Sequence, residues 1–135
     1  MKYYSTNHKA PLASLHEAVV RGLAPDRGLY MPERINRLPQ EFFDNIDKLS
    51  FQEIAYNVAQ AFFSEDVEPE ALKKIVYDTL AFDCPIVEVE PNIYSLELFH
   101  GPTLAFKDVG ARFMARLLQY FIRQEGKEQV NVLVA

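Results

Sequence analysis

The feature that most constrains this chain is a run of three elements between residues 94 and 125: an extended segment, a Gly-Pro break and a long amphipathic helix. Residues 94–98 alternate apolar and polar side chains, which is typical of a half-buried strand. His100-Gly101-Pro102-Thr103 then interrupts the regular structure, because Gly and Pro impose special backbone angles and Thr can cap a helix. Apolar side chains next recur at helical spacing, which predicts a helix from about Asp108 to Glu125: Val109, Phe113, Leu117, Leu118, Phe121.

A lysine stands at the predicted start of this helix. Lys107 would lie where the partial positive charge of the helix macrodipole disfavours an ammonium group. An isolated lysine has a pKa of about 10.4, and burial together with the dipole can lower that pKa by units. Such an amine is usable as a nucleophile or a base. Spacing alone does not separate this hypothesis from an ordinary surface lysine in the first helical turn.

Two separate segments of the chain resemble one known family. Residues 100–108, HGPTLAFKD, are similar to the lysine segment of threonine synthases, which are pyridoxal-phosphate (PLP) enzymes of the tryptophan-synthase-β-like fold. Residues 22–32, GLAPDRGLYMP, resemble the N-terminal domain of the same enzymes. Two matches at compatible spacing are more specific than either alone. The resemblance extends over essentially the whole chain, which corresponds to the N-terminal third or so of a family member.

This resemblance implies a reaction and a role for the lysine. Lys107 would carry PLP as a Schiff base and, once freed by substrate, would transfer protons. The substrate of the family is O-phosphohomoserine, which reacts with water to give L-threonine and phosphate in the last step of threonine biosynthesis. The resemblance leaves two alternatives open. One is another PLP-dependent lyase or dehydratase of the same fold, which the match at residues 22–32 disfavours. The other is a non-catalytic stand-alone binding module, which would need neither Lys107 nor its helix.

Four neighbours of Lys107 are further candidates for the site. Thr103 is either the N-cap of the helix or a hydroxyl that faces the cofactor or a substrate phosphate. Phe106 is expected to pack behind the lysine stem, and Asp108 is either a first-turn carboxylate or the partner of a basic group. His100 either contacts ligand or hydrogen-bonds the backbone of its turn. Thr103, Phe106 and Asp108 are thus candidate PLP-binding residues beside the Schiff-base lysine.

Composition excludes several other function classes. A net charge of −5 with no basic run argues against non-specific nucleic-acid binding. No segment approaches the roughly 18–20 apolar residues that span a bilayer, and the N-terminus lacks the apolar core of a signal peptide, so we expect a cytoplasmic chain without membrane contact. Cys84 is the single cysteine, and the three histidines are scattered, so we expect neither a disulfide nor a metal site.

The first 84 residues predict an α+β domain. Strands are expected at residues 2–6 and 29–31, and capping boxes at Ser14–Glu17 and Ser50–Glu53 predict two helix starts, the first helix running to Leu23. Pro69 suits the first residue of a third helix, and residues 40–46 allow a short helical turn. After the turn at Pro25-Asp26, Gly28 is expected at positive φ.

A boundary near residue 84 would separate residues 1–84, resembling the N-terminal domain, from residues 85–135. In residues 85–135 the pattern predicts strands at 86–89 and 93–98, then the long helix with Gly126 as its C′ glycine, and a buried parallel strand at 130–135. The fold class is therefore α/β, an α+β N-terminal domain followed by an incomplete PLP-binding sheet domain. Because the chain stops on this strand, we expect a piece of a longer protein, with the loop for the PLP phosphate beyond Ala135. Alone, the piece is expected to be inactive and to self-associate.

Overall fold

A computed structural model describes residues 1–126 and residue 131 of the chain. Of the predicted strand at 130–135, all but residue 131 lies outside the described residues. A three-stranded antiparallel sheet forms the N-terminal layer, with β1 (Lys2–Ser5) between β2 (Ala13–Ser14) and β3 (Tyr30–Pro32). Tyr3 faces Ala13 on one side and Pro32 on the other. The sequence predicted β1 and β3 and missed the two-residue β2, which is too short to carry a periodic signal.

Four helices in the N-terminal two thirds of the chain begin where local signals place them. They are α1 (Leu15–Arg21), α2 (Gln40–Asp44), α3 (Phe51–Phe63) and α4 (Pro69–Thr79), with a 3-10 turn at Ile46–Lys48. Both capping boxes are present, each with the serine side chain accepting the backbone N–H of a glutamate that reaches back to the serine N–H. The first helix is shorter than predicted, because Gly22 takes φ 74° and ends it before Leu23.

The long helix α5 (Lys107–Gln124) packs on this N-terminal part. Its buried residues Leu117 and Phe121 join one hydrophobic core with Leu15 of α1 and with Leu72 and Val76 of α4. The C′ position of Gly126 is confirmed, since the residue has φ 70° and its N–H donates to the Arg123 carbonyl at 3.1 Å. The domain boundary near residue 84 stays a prediction, and the packing shows that α5 shares its core with the elements before that residue.

A two-stranded antiparallel hairpin precedes the lysine loop. It consists of β4 (Ile86–Glu90) and β5 (Ile93–Leu96), and every residue of both strands is exposed. Both strands were predicted, but β5 ends at Leu96 and not at residue 98, and the expected half-burial is wrong for residues 94–96 because no other element covers the hairpin among the described residues. Six of these exposed side chains are large and apolar: Ile86, Val87, Val89, Ile93, Tyr94, Leu96. Apolar side chains on both faces of a sheet indicate a sheet that is covered on both sides in its functional setting. Within the described residues, no helix has the length and apolar character needed to cross a membrane.

The prediction for Gly28 is wrong, and the structure gives a different reason for glycine there. The residue at positive φ is Arg27, at 66°, whose N–H closes the turn onto the Ala24 carbonyl at 2.8 Å. Gly28 itself lies against β1: a Cβ atom would overlap the Ser5 hydroxyl and come within 2.9 Å of the Asn7 nitrogen. Glycine is therefore required by space, not by its backbone angle.

The close approach at Gly28 is built around one carboxylate. Asp26 Oδ1 accepts the hydroxyl of the fully buried Ser5 at 2.6 Å and the N–H of Gly28 at 3.1 Å. Asp26 Oδ2 accepts the N–H of Lys9 at 2.9 Å. The hydrogen bond from Ser5, supported by the backbone donors, holds the pKa of Asp26 below its usual value. This carboxylate fixes the turn after α1 onto the first strand.

Replacing Thr79 by valine is expected to stabilise the chain. The residue is 2% exposed at the end of α4, and its hydroxyl has no hydrogen-bond partner among the described residues. A buried hydroxyl without a partner retains its desolvation cost, and valine has nearly the same shape. We expect Thr79→Val to raise the free energy of unfolding by about 1 kcal/mol in urea titrations. A lowered midpoint would show that the hydroxyl has a partner.

Candidate active site

The lysine predicted as functional is the first residue of α5. The loop between β5 and α5 spans residues 97–106, and the helix begins at Lys107, one residue before the predicted start. Lys107 is exposed, and its amine has no ion pair or hydrogen bond within the part of the chain that the structure describes. The loop therefore presents an accessible primary amine at a helix N-terminus.

The next residue points inward and binds the loop. Asp108 is 5% exposed, and its Oδ1 accepts the Thr103 hydroxyl at 2.7 Å while its Oδ2 accepts the Thr103 N–H at 2.9 Å. Burial opposes ionisation of this carboxyl, but the hydrogen bonds from Thr103 and the Ala105 backbone outweigh it and lower the pKa of Asp108. Asp108 is an ionised, buried carboxylate in the first turn of α5.

Thr103 does not cap the helix. The N-cap residue of α5 is Phe106, which is in the helical region and makes no side-chain capping bond. The N-cap interpretation of Thr103 is therefore wrong, because the loop closes one turn before the helix and its hydroxyl is held by Asp108. The role of Thr103 toward a cofactor or phosphate stays a prediction, as does that of Phe106, which is 67% exposed.

Two further residues shape the loop, and sequence reasoning missed both roles. Gly101 is buried so closely against Asp108 that a Cβ atom on it would overlap the carboxyl group. Leu104 has φ 56°, its N–H donates to the Gly101 carbonyl at 3.0 Å, and its side chain is 75% exposed. A leucine in the left-handed region of φ and ψ is uncommon, and the residue type itself does not predict this conformation. The Gly-Pro dipeptide signalled a turn, but not which residue would take the unusual angle.

The histidine at the loop entrance pairs with a side chain. His100 Nε2 lies 2.6 Å from Glu97 Oε2, and its ring stacks on that of Phe99 with a centroid separation of 4.8 Å. The proposed bond from His100 to the backbone of its turn is not what the structure shows, since the partner is the Glu97 carboxylate three residues earlier. Contact with a ligand stays a prediction.

An apolar cavity of about 560 Å³ adjoins the start of α5. Its walls come from α3, from the end of α4 and from the two turns that follow Lys107, where Val109, Gly110 and Phe113 line it. Among the described residues, no group of three His, Cys, Asp or Glu side chains is arranged to hold a metal ion.

Comparisons with known proteins place this arrangement in a family. The family model described as threonine synthase N terminus matches residues 2–80. The chain belongs to the threonine synthase family. It is 36% identical over 135 residues to threonine synthase of Escherichia coli and 37% identical over 152 residues to that of Saccharomyces cerevisiae, covering 100% and 98% of the chain. The family expected from residues 22–32 and 100–108 is thereby confirmed.

Solved structures of the family have the same fold. A crystal structure of PLP-bound threonine synthase from Brucella melitensis superimposes with a TM-score of 0.86 at 36% identity, over 93% of this chain and 28% of that one. The Escherichia coli threonine synthase structure gives a TM-score of 0.83 over 90% of this chain and 28% of that one. The predicted mixture of helices and strands is confirmed. The chain spans about 31% of the Escherichia coli enzyme and 30% of the yeast enzyme.

Proposed function

We propose that this chain is the part of a PLP-dependent threonine synthase that carries the Schiff-base lysine, Lys107. In the complete enzyme, O-phosphohomoserine and water would give L-threonine and phosphate. The observation that carries the proposal is the accessible amine of Lys107 at the start of α5, inside the HGPTLAFKD segment of a chain with threonine synthase relatives along its whole length. Participation in amino-acid biosynthesis also supports a cytoplasmic location.

The residues around Lys107 fit a covalently held aldehyde cofactor. A Schiff base needs a primary amine that is not held as an ammonium ion by a carboxylate, and the neighbouring Asp108 accepts its hydrogen bonds from Thr103 instead. When bound, PLP supplies an electron sink for the carbanion formed next to the substrate amine. Lys107 holds the cofactor and, once displaced by substrate, is the group placed to move protons.

The parts needed for the proposed function are distributed between this chain and the rest of the enzyme. Residues 1–84 would form the family's N-terminal domain, and residues 85–135 would begin the sheet domain that holds PLP. The exposed apolar hairpin of β4 and β5 supports this division, because its two faces need covering by further sheet and helix. The groups that bind the PLP phosphate and the substrate phosphate would belong to that remaining part, so the chain alone is expected to be inactive.

A chimera tests the proposed activity. Residues 1–135 would replace the corresponding first 31% of Escherichia coli threonine synthase, to which they are 36% identical. The chimera should support growth without added threonine in an Escherichia coli strain that lacks threonine synthase, and should release phosphate from O-phosphohomoserine. The 135-residue chain alone should do neither. A folded, PLP-loaded chimera that turns over serine or threonine but not O-phosphohomoserine would favour a dehydratase instead.

The 135-residue chain, expressed by itself, is expected to self-associate. The apolar side chains of β4 and β5 are exposed, and an open hairpin offers unpaired backbone groups to another copy. Light scattering should show a mass that rises with concentration, and Val89→Lys with Ile93→Lys should reduce it. Both positions are exposed, at 64% and 56%, so the double variant should keep the fold. A monomer at all concentrations would contradict this prediction.

A further inference from the structure

The two residues at the start of α5 lie on different sides of the helix. Lys107 is exposed and Asp108 is buried, and neighbouring residues of a helix are separated by about 100° around its axis. The direction of Asp108 therefore sets the direction of Lys107. Because both carboxylate oxygens of Asp108 are bonded to Thr103, the rotation of the first helical turn is fixed to the preceding loop. We propose that this pair, the Thr103–Asp108 clamp, positions the Lys107 amine for the reaction.

The loop needs such a clamp, because little else holds it. Thr103, Leu104 and Phe106 are exposed, and the N-cap of α5 makes no side-chain bond. Leu104 is kept at φ 56°, a conformation that costs a leucine free energy and persists only where its surroundings impose it. The hydrogen bonds from Thr103 to Asp108 fix the position of Thr103. Leu104 therefore lies between a fixed residue and the start of the helix.

Gly101 supplies the space that the clamp requires. The Asp108 carboxyl lies against the Gly101 backbone, where any side chain would overlap it. The Leu104 N–H in turn donates to the Gly101 carbonyl at 3.0 Å. One connected unit thus precedes Lys107, made of the buried glycine, the buried carboxylate and the threonine. These three residues position the lysine and do not contact the reacting atoms.

Hydrogen exchange in the 135-residue chain without cofactor tests whether the clamp holds the loop. Asp108→Ala removes both acceptor oxygens, so both hydrogen bonds from Thr103 are lost. We expect exchange of the Thr103 and Leu104 amides to become about tenfold faster, while amides within α4 keep their rates. Unchanged exchange at residues 101–106 would overturn the clamp. Faster exchange along the whole chain would show general destabilisation and would also count against it.

Kinetics of the chimera test whether the clamp positions Lys107, a step that rests on the proposed function. Thr103→Val removes the hydroxyl and keeps the shape of the side chain. Since a misplaced catalytic group can cost about 100-fold, we expect kcat to fall by about 10–100-fold with KM within about threefold and PLP content unchanged. Thr103→Ser should recover most of the lost kcat. Thr6→Val is the matched control, because it removes the hydroxyl of another exposed threonine, which accepts the Leu29 N–H at 2.9 Å in the turn after β1, and it should leave kcat unchanged.

The two experiments separate the possible failures. If Thr103→Val lowers the unfolding midpoint but leaves kcat intact, the clamp is only structural and the positioning proposal is wrong. If the unsubstituted chimera attaches PLP at a different lysine, the proposed function of Lys107 fails and positioning fails with it. In that case the exchange rates still report whether Asp108 holds the loop, so the loss of the function is distinguished from the loss of the clamp.

Discussion

Replacing Lys107 by alanine is expected to lower kcat of the chimera on O-phosphohomoserine by at least about 10²–10⁴-fold, the range that a positioned acid–base group contributes. The loss should be in kcat and not in folding, because Lys107 is exposed and has no polar partner among the described residues. The urea midpoint of Lys107→Ala should therefore equal that of the unsubstituted protein. The assay is phosphate release in protein reconstituted with excess PLP.

Lys107→Arg separates chemistry from charge. Arginine keeps a positive charge at the start of α5, but its guanidinium stays protonated and forms no Schiff base. It should therefore fail as completely as alanine. Lys73→Ala is the control, since Lys73 is an exposed lysine on α4 whose Nζ lies over the Tyr77 ring, 5.8 Å from its centroid. Activity retained by Lys107→Arg would exclude the Schiff base at this residue.

The second large effect is expected at Gly28. Gly28→Val should lower the free energy of unfolding by about 3 kcal/mol, because a side chain there overlaps the Ser5 hydroxyl and crowds the Asn7 nitrogen. Gly28→Ala should already cost about 1–3 kcal/mol, since the overlap begins at Cβ. Urea unfolding followed by circular dichroism measures both changes.

Gly110 provides the matched glycine control. It lies within α5, and a Cβ atom there would meet nothing within 4 Å. Gly110→Ala should therefore be neutral or stabilise the chain by up to about 1 kcal/mol through helix propensity. In a Ser5→Ala background, Gly28→Ala should cost less than in the original protein, because the overlapping oxygen is gone. Additive costs in the double variant would contradict the steric explanation.

Elements whose signals are local could be predicted from the sequence. The capping boxes at Ser14 and Ser50 bind their own glutamates three residues later, so a window of four residues contains the whole cause. The helix at Pro69 and the C′ glycine at residue 126 depend likewise on the nearest few residues. The motif that contains Lys107 was placed within one residue of the observed helix start.

Features that depend on distant partners could not be read from the pattern. Arg27, and not Gly28, takes the positive φ, and glycine is required at residue 28 because β1, more than twenty residues earlier in the sequence, fills the space beside it. The inward direction of Asp108 and the angle of Leu104 follow from how the loop closes on Gly101. Each of these features depends on a tertiary contact, and the residue types alone are compatible with several loop conformations.

Covalent mapping tests the central assignment most directly. The chimera would be incubated with PLP and reduced with borohydride, which converts the Schiff base into a stable secondary amine, and its peptides would be analysed by mass spectrometry. We expect the modification on the peptide that contains Lys107, at a stoichiometry near one, and its absence in Lys107→Arg. Modification of another lysine, together with turnover by Lys107→Ala, would contradict the assignment of Lys107.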